Sequence, residues 1–384
     1  MTAVVIVGAG VMGASVAYHL ASRGWRDILL LDRSGGPGEG STGKATGGYR
    51  AQYATPVNVA LSLIARAKLS AFADEVGGDA GYMPAGYLWL AATEAEQDVL
   101  RQGVEVQRSA GLAEAQEVDA SEALQLNPAL APEGIVGGAW CPTDGFIKPL
   151  GILAGYLAAA QRLGARIEWD VEVTGFTRDA NGQIAEVRTS RGAFPADAVV
   201  NAAGAWAAPL AARAGVSLPV VPLRRQLVPT VPCDLLPADM PMTLYAGDGF
   251  HFRVRDGRVL LGYPTPGAPG RPWDTSVAPG WTDKVAAMMH ARVPRLGRVP
   301  LDERAAWGGL YEVSPDKHAI LGAAPECPNL FLVNGSSGHG VMHSPALGHL
   351  LAEMMSGAAP SIDVTPLAFS RFAEGRLNPV SELL

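Results

Sequence analysis

Cysteine is scarce in this chain. Cys141, Cys233 and Cys327 are the only three among 384 residues. They are odd in number and far apart, so no disulfide framework or metal-ligand spacing is on offer, and reduced thiols in a cytoplasmic protein are expected. Positive charge is also short. Thirty Lys and Arg face 37 Asp and Glu, a formal net charge of -7, and no basic cluster relieves it, which argues against a nucleic-acid surface. The longest apolar runs fall far short of a membrane span. The strand pattern begins almost at Met1, which leaves no room for a secretory signal. Internal repeats and low-complexity tails are missing too.

What is present suits a globular protein with real cores. The chain is 48% hydrophobic and 17% charged, and its length allows two domains. Its organising stretch is the first thirty-three residues. Val4 to Val7 reads as a strand buried on both faces. Gly8-Ala9-Gly10-Val11-Met12-Gly13 follows, then helical spacing to Arg23 and Gly24. A second apolar run, Ile28 to Leu31, closes on Asp32 and Arg33. The three glycines suit a tight turn, close approach of a pyrophosphate and close helix–strand contact, in that order. The helix start offers free N–H groups and a positive dipole end. Asp32 stands where a carboxylate accepts hydrogen bonds from a ribose diol. Together these predict a dinucleotide site, with a purely structural turn as the alternative.

Residues 33–48 then form a loop with seven glycines, including Gly40-Ser41-Thr42-Gly43-Lys44 and Thr46-Gly47-Gly48, followed by Tyr49-Arg50. Beside a dinucleotide site, so many glycines suggest backbone held close to a ligand. Further on, the patterns predict a helix over 57–76 and a strand over 82–92. A capping box at Thr93 and Glu96 should start a helix running to about Gly111. Pro149 opens another helix through Leu163. Strands over 166–174 and 184–189 should flank the turn Asp179-Ala180-Asn181-Gly182. Paired strands should lie around Asp256-Gly257, and a proline/glycine loop over 264–279, long enough to be functional. The chain closes with strand, turn and helix, the helix running to about Met355.

At this point the residues resemble the FAD-dependent D-amino-acid oxidase superfamily, in its sarcosine oxidase, glycine oxidase and proline dehydrogenase group. The resemblance spans nearly the whole chain in the right order. It rests on Gly8-x-Gly10-x-x-Gly13 with Asp32, and on Gly40-Ser41-Thr42 leading to Gly47-Gly48-Tyr49-Arg50. It continues with Asp144-Gly145 before Pro149, then residues 199–206 with Ala203, Gly204 and Trp206. Pro315-Asp316 before Ile320-Leu321-Gly322, and Gly338-His339-Gly340 with Val341 and Met342, complete it.

The resemblance implies an α/β protein, α+β overall. A Rossmann-like FAD-binding domain would be assembled from residues 1–80, 143–215 and 302–384. A discontinuous substrate domain on a mixed or antiparallel sheet would take 81–142 and 216–301. Val171 and Val173 correspond to backbone that holds the adenine, Ser41 and Thr42 to the pyrophosphate site, and Gly47-Gly48 to the edge of the flavin. The start of the last helix, over 338–342, would offer its dipole to the reduced flavin. Gly309 stands where members of the group carry the cysteine that attaches FAD, which implies non-covalent binding. Met342 replaces a carboxylate-holding lysine, and residues 265–269 replace the segment bearing an oxygen-activating lysine.

Arg50 is the expected grip on a substrate carboxylate, with a role at the cofactor as the alternative. His251, Tyr311 and Trp307 lie in stretches that face the ring in relatives, and each is equally compatible with a core position. His339 and His343 have zinc-compatible spacing, but no acid completes a pattern and no metal is expected. The implied activity is oxidation of the C–N bond of a small amino or imino acid by hydride transfer to flavin, giving an imine that hydrolyses. Oxygen or an electron carrier would accept the electrons. The alternatives are a flavin-binding subunit of a larger complex and C–O oxidation of a glycerol-phosphate type. The oligomeric state stays open, a homo-oligomer included.

Overall fold

The computed structural model describes residues 3–264 and 273–380; the expectations placed on 265–269 lie outside them. Val4–Val7 and Ile28–Leu31 pair in parallel at the centre of a six-stranded sheet. Its order is Ile320–Ala324, Cys327–Asn334, Ala198–Asn201, Val4–Val7, Ile28–Leu31 and Arg166–Glu168. All neighbours are parallel except the hairpin formed by the first two.

The continuous apolar runs have the expected cause: both faces are covered. Val4, Ile6, Ile28 and Leu30 pack under the helices Val11–Ser22, Pro56–Ser70, Pro149–Arg162 and Gly340–Met355. Val5, Val7, Leu29 and Leu31 pack on the other side against a three-stranded sheet, Val173–Arg178, Ile184–Thr189 and Gly192–Pro195. The helices Val11–Ser22 and Gly340–Met355 cross closely because Gly348 has no side chain. A Cβ there would lie 2.2 Å from the Ser15 hydroxyl. Pro345 sits inside the second helix, and the Val341 carbonyl accepts the Ser344 hydroxyl at 2.9 Å.

A second sheet has eight strands. Its order is Trp307–Val313, Val221–Pro229, Arg258–Gly262, His251–Arg255, Met242–Tyr245, Tyr87–Ala91, Gly137–Cys141 and Gln116–Asp119. Only the Met242–Tyr245 and Tyr87–Ala91 pair is parallel, so the sheet is mixed. The stretches 81–142 and 216–301 supply every strand of it but one. Trp307–Val313, from the 302–384 stretch, hydrogen-bonds to Val221–Pro229 and joins this sheet rather than the six-stranded one.

Several elements differ locally from their sequence patterns. The 57–76 helix breaks after Ser70 into a short second piece, Phe72–Glu75. The strand expected over 82–92 is confined to Tyr87–Ala91, after the turn at Gly86 with φ +88°. The run 166–174 is two strands in two sheets, separated at Asp170 with φ +55°. Thr93 accepts the Glu96 N–H at 3.3 Å, but the Glu96 carboxylate takes the Ala92 N–H, one residue early for a full box. The last helix begins at Gly340 with His339 as its cap residue, two residues later than expected. Among the described residues, no helix is long and apolar enough to cross a membrane.

Candidate active site

A cavity of about 1420 Å3 runs between the two sheets. It exceeds the range of roughly 300–1,000 Å3 usual for one small ligand. Val171, Val173 and Ser190 line one part, the Gly8 to Met12 turn another, and Arg50, Tyr311 and His251 a third. Asp32, Arg33, Ser41, Thr42, Lys44, Thr46, Ala203, Gly204, Trp206, Gly309, Gly338, Gly340 and Val341 also face it. Gly13, Gly47, Gly48, His339 and Met342 do not line it, and neither does Trp307.

The three glycines of the turn have different reasons. Gly8 holds φ +106°, and a Cβ there would lie 2.3 Å from the Ala202 carbonyl oxygen. A Cβ on Gly13 would lie 1.9 Å from the Gly8 carbonyl oxygen. Gly10 has no such conflict, since its nearest neighbour is the Thr42 hydroxyl at 3.5 Å. Nothing in the protein demands glycine at position 10, and it faces the cavity.

Around this turn the polar groups are set in place. Asp32 accepts from the Ala9 N–H at 2.7 Å with one oxygen, and from the Ser34 N–H and hydroxyl with the other. Thr42 accepts the Val11 N–H at 3.2 Å. Ser41 donates to the Leu310 carbonyl at 2.6 Å. Arg33 lies over the Trp206 ring at 4.0 Å. Two buried acceptors in the cavity wall, Glu312 Oε2 and Ser336 Oγ, have no protein partner. Burial pushes the Glu312 carboxyl up to about 7.

The glycine-rich loop is braced from the eight-stranded sheet. His251, Arg253 and Arg255 alternate with Phe252 and Val254 along one strand, so all three leave the same face. Arg253 donates to the Thr46 and Gly47 carbonyls at 3.1 and 2.9 Å, and Arg255 to Ala45 at 3.1 Å. Gly47 takes φ +76°, and a Cβ there would meet the Ile147 carbonyl at 2.6 Å. From the other side, buried Asp144 accepts the Ala51 N–H at 2.8 Å and the Gln52 side-chain amide at 3.2 Å. Burial raises the Asp144 carboxyl to about 7 against these bonds.

Arg50, 7% exposed, emerges from that loop. Its guanidinium lies 4.0 Å over the Tyr53 ring and 5.1 Å from the Trp89 ring. It donates to the Gln52 carbonyl and to His339 Nε2, the latter at 3.3 Å. Burial and then the Arg50 charge hold His339 well below the usual histidine range, so it is a neutral acceptor. Among the described residues no carboxylate lies within 4.0 Å of Arg50. His343, pushed down to about 3 by burial and then by Arg50, bonds the Ser62 hydroxyl. No group of three or more His, Cys, Asp or Glu among the described residues is placed to hold a metal.

His251 Nδ1 donates to the Gly249 carbonyl at 2.9 Å, which leaves Nε2 with its lone pair. Burial lowers its pKa, with Arg225 adding to the effect. Its ring lies over Gly262, where a Cβ would sit 2.3 Å from Nε2. Tyr311 lies over Gly338, whose absent Cβ would be 2.4 Å from the ring. Met342 instead takes a hydrogen bond from the Tyr53 hydroxyl at 3.2 Å, behind the cavity wall. Trp307 donates to the Lys44 carbonyl at 3.0 Å. A Cβ on Gly309 would lie 2.9 Å from the Lys44 Cβ, so any side chain there has to displace Lys44.

Sequence reasoning passed over Trp89, Arg225, Arg253 and Arg255. The signal was present for Arg225: consecutive arginines in a strand must leave opposite faces. Pro219, Pro222 and Pro229 mask that strand in the sequence.

Residues 3–354 match the family described as DAO, FAD dependent oxidoreductase. Glycine oxidase from Geobacillus kaustophilus (strain HTA426) is 32% identical over 96% of this chain and 96% of its own. L-proline dehydrogenase from P. horikoshii has a TM-score of 0.90 at 25% identity, covering 98% of this chain and 99% of that one. The crystal structure of glycine oxidase from Geobacillus kaustophilus has a TM-score of 0.84 at 30% identity, covering 96% and 98%. With a glycine turn, acid and cavity of the kind a dinucleotide needs, the chain belongs to the DAO family of FAD-dependent oxidoreductases.

Proposed function

We propose that this enzyme oxidises the C–N bond of a small amino or imino acid whose carboxylate is held by Arg50. The observation that carries the reading is the buried, ring-stacked Arg50 guanidinium without a carboxylate partner among the described residues, in the same cavity as the dinucleotide turn. A desolvated guanidinium favours a planar anion in bidentate geometry. The known activities of the glycine oxidase and proline dehydrogenase relatives support the same substrate class.

The residues present fit FAD. Gly10 leaves room that no protein atom fills, and Glu312 Oε2 and Ser336 Oγ offer unused acceptors to a hydroxylated chain. The Gly8 to Gly13 turn, Thr42 and Asp32 would hold the pyrophosphate and ribose, and Val171 and Val173 the adenine. Ser41, Lys44, Thr46, Gly309, Gly338, Gly340 and Val341 would border the rest. The cofactor would be bound without a covalent link, since Gly309 has no side chain. Residues 1–80, 143–215 and most of 302–384 would form the cofactor-holding part, and 81–142 with 216–301 the part facing the substrate.

When bound, FAD supplies a two-electron acceptor. The chain's own work is orientation. Arg50 fixes the carboxylate end of the substrate. His251, neutral and with Nε2 unprotonated, accepts a hydrogen bond from the substrate nitrogen. Trp89, Tyr311 and Tyr53 narrow the site around Arg50 and keep water from it. Oxygen or an electron carrier then takes the electrons.

An anaerobic panel of amino acids, N-methyl amino acids, amines and glycerol phosphate, read by loss of the flavin absorption, tests this. Bleaching by carboxylated amines is the expected result. Bleaching by glycerol phosphate alone, or by nothing, overturns it.

A further inference from the structure

We infer that the substrate carries a second anionic group, and that Arg225 receives it; this rests on the reading of the cavity as a site for an amino acid. In the pairing of Val221–Pro229 with Trp307–Val313, Arg225 stands opposite Gly309, and Leu223 opposite Tyr311. Alternation sends the two neighbouring arginines to opposite faces. Arg224 meets Asp274 at 2.7 Å and the Ser276 carbonyl at 3.0 Å. Arg225 turns to the cavity, which Gly309 opposite also lines.

Arg225 is a half-buried cation that faces the cavity. Among the described residues no carboxylate lies within 4.0 Å of it, and residues 265–272 contain neither Asp nor Glu. Among the described residues it donates to the Arg224 carbonyl at 3.3 Å, and its guanidinium lies 5.7 Å from the Tyr311 ring. A guanidinium partly withdrawn from water in this way favours an anion as its partner.

The geometry points to a ligand rather than to a structural pair. The Tyr311 phenol is subject to the charges of both Arg225 and Arg50, and His251 to that of Arg225. Both guanidiniums line the same cavity as Tyr311 and His251, the groups that would face the reacting nitrogen. A substrate with one carboxylate satisfies only one of them. An amino acid with a second carboxylate, on its side chain or on its nitrogen substituent, satisfies both.

The test compares N-methylglycine with N-methylaspartate and iminodiacetate as reductants of the anaerobic holoenzyme. The diacids should have kcat/KM at least tenfold higher. In Arg225→Leu the diacid-to-monoacid ratio should fall about ten- to a hundredfold, the loss of one charge-assisted contact, and Arg225→Lys should recover part of it. Succinate should bind the wild-type holoenzyme more tightly than acetate by calorimetry, and Arg225→Leu should remove that difference. Monoacids that work as well as diacids, or an unchanged ratio in Arg225→Leu, overturn the inference and leave the amino-acid reading standing. Loss of FAD from Arg225→Leu overturns it in favour of a cofactor contact. If no amine of either kind reduces the flavin, the amino-acid reading fails and this inference with it.

Discussion

Gly8, Gly10 and Gly13 look alike in the sequence and differ in what requires them. Gly8 and Gly13 are needed by the protein, because a Cβ at either would overlap backbone. No protein atom around Gly10 requires a glycine there, and it faces the cavity. This separation predicts that Gly10→Ala folds normally but binds FAD at least tenfold more weakly, about 1.4 kcal/mol. Melting of the cofactor-free protein and a flavin titration measure the two effects separately. An apoprotein that melts several degrees lower, with unchanged flavin affinity, contradicts the assignment. A sequence shows the spacing of such glycines but not their clearances, so only the turn as a whole was legible. The same holds at Arg50, whose bond to His339 joins residues 289 positions apart.

Among the elements, local chemistry was legible and partner choice was not. The turns Asp179 to Gly182 and Asp256-Gly257 are where the sequence places them, because their left-handed positions favour such residues: Gly182 at φ +78°, Asp256 at +54° and Gly257 at +69°. The strand Val221–Pro229 was hidden by its prolines, which it tolerates at the positions where it begins to pair and where it ends. Another element is held by a contact that no spacing reveals. Arg371, near the end of the described chain, clasps Asp316 with two bonds of 2.8 Å, both side chains fully buried. Burial alone would raise the Asp316 carboxyl, but Arg371 and Asn378 override it and hold it well below the usual range.

Because that carboxyl binds its proton less readily folded than unfolded, its stabilising contribution is complete above the unfolded value of about 3.9. It is lost as the pH falls below that value toward the lower folded one. Asp316→Ala, which leaves a buried cation unpaired, should cost about 3–5 kcal/mol at neutral pH. Its denaturation midpoint should also depend less on pH across the acid range than that of wild type. An acid limb as steep as wild type in this variant would exclude the pair as its source.

For the whole molecule, the decisive feature is that the two sheets meet across one cavity. The six-stranded sheet supplies the dinucleotide turn, the eight-stranded sheet supplies His251, Tyr311 and Arg225, and the braced loop between them presents Arg50. With Gly309 against Lys44 and no cysteine side chain at that place, FAD should leave the protein on acid precipitation. Yellow colour retained in the pellet would contradict non-covalent binding.

Anaerobic rapid-mixing kinetics on wild type and Arg50→Ala test whether Arg50 binds the substrate carboxylate. Flavin reduction should be followed against the concentration of an amino acid and of the same amine lacking its carboxylate. Removing a charge-assisted contact worth about 1.5–3 kcal/mol should weaken the amino acid's apparent affinity roughly ten- to a hundredfold. The amine without a carboxylate should lose little, and FAD content should stay near wild type. An Arg50→Ala protein that sheds its flavin while keeping wild-type selectivity between the two amines would place Arg50 at the cofactor and contradict the claim.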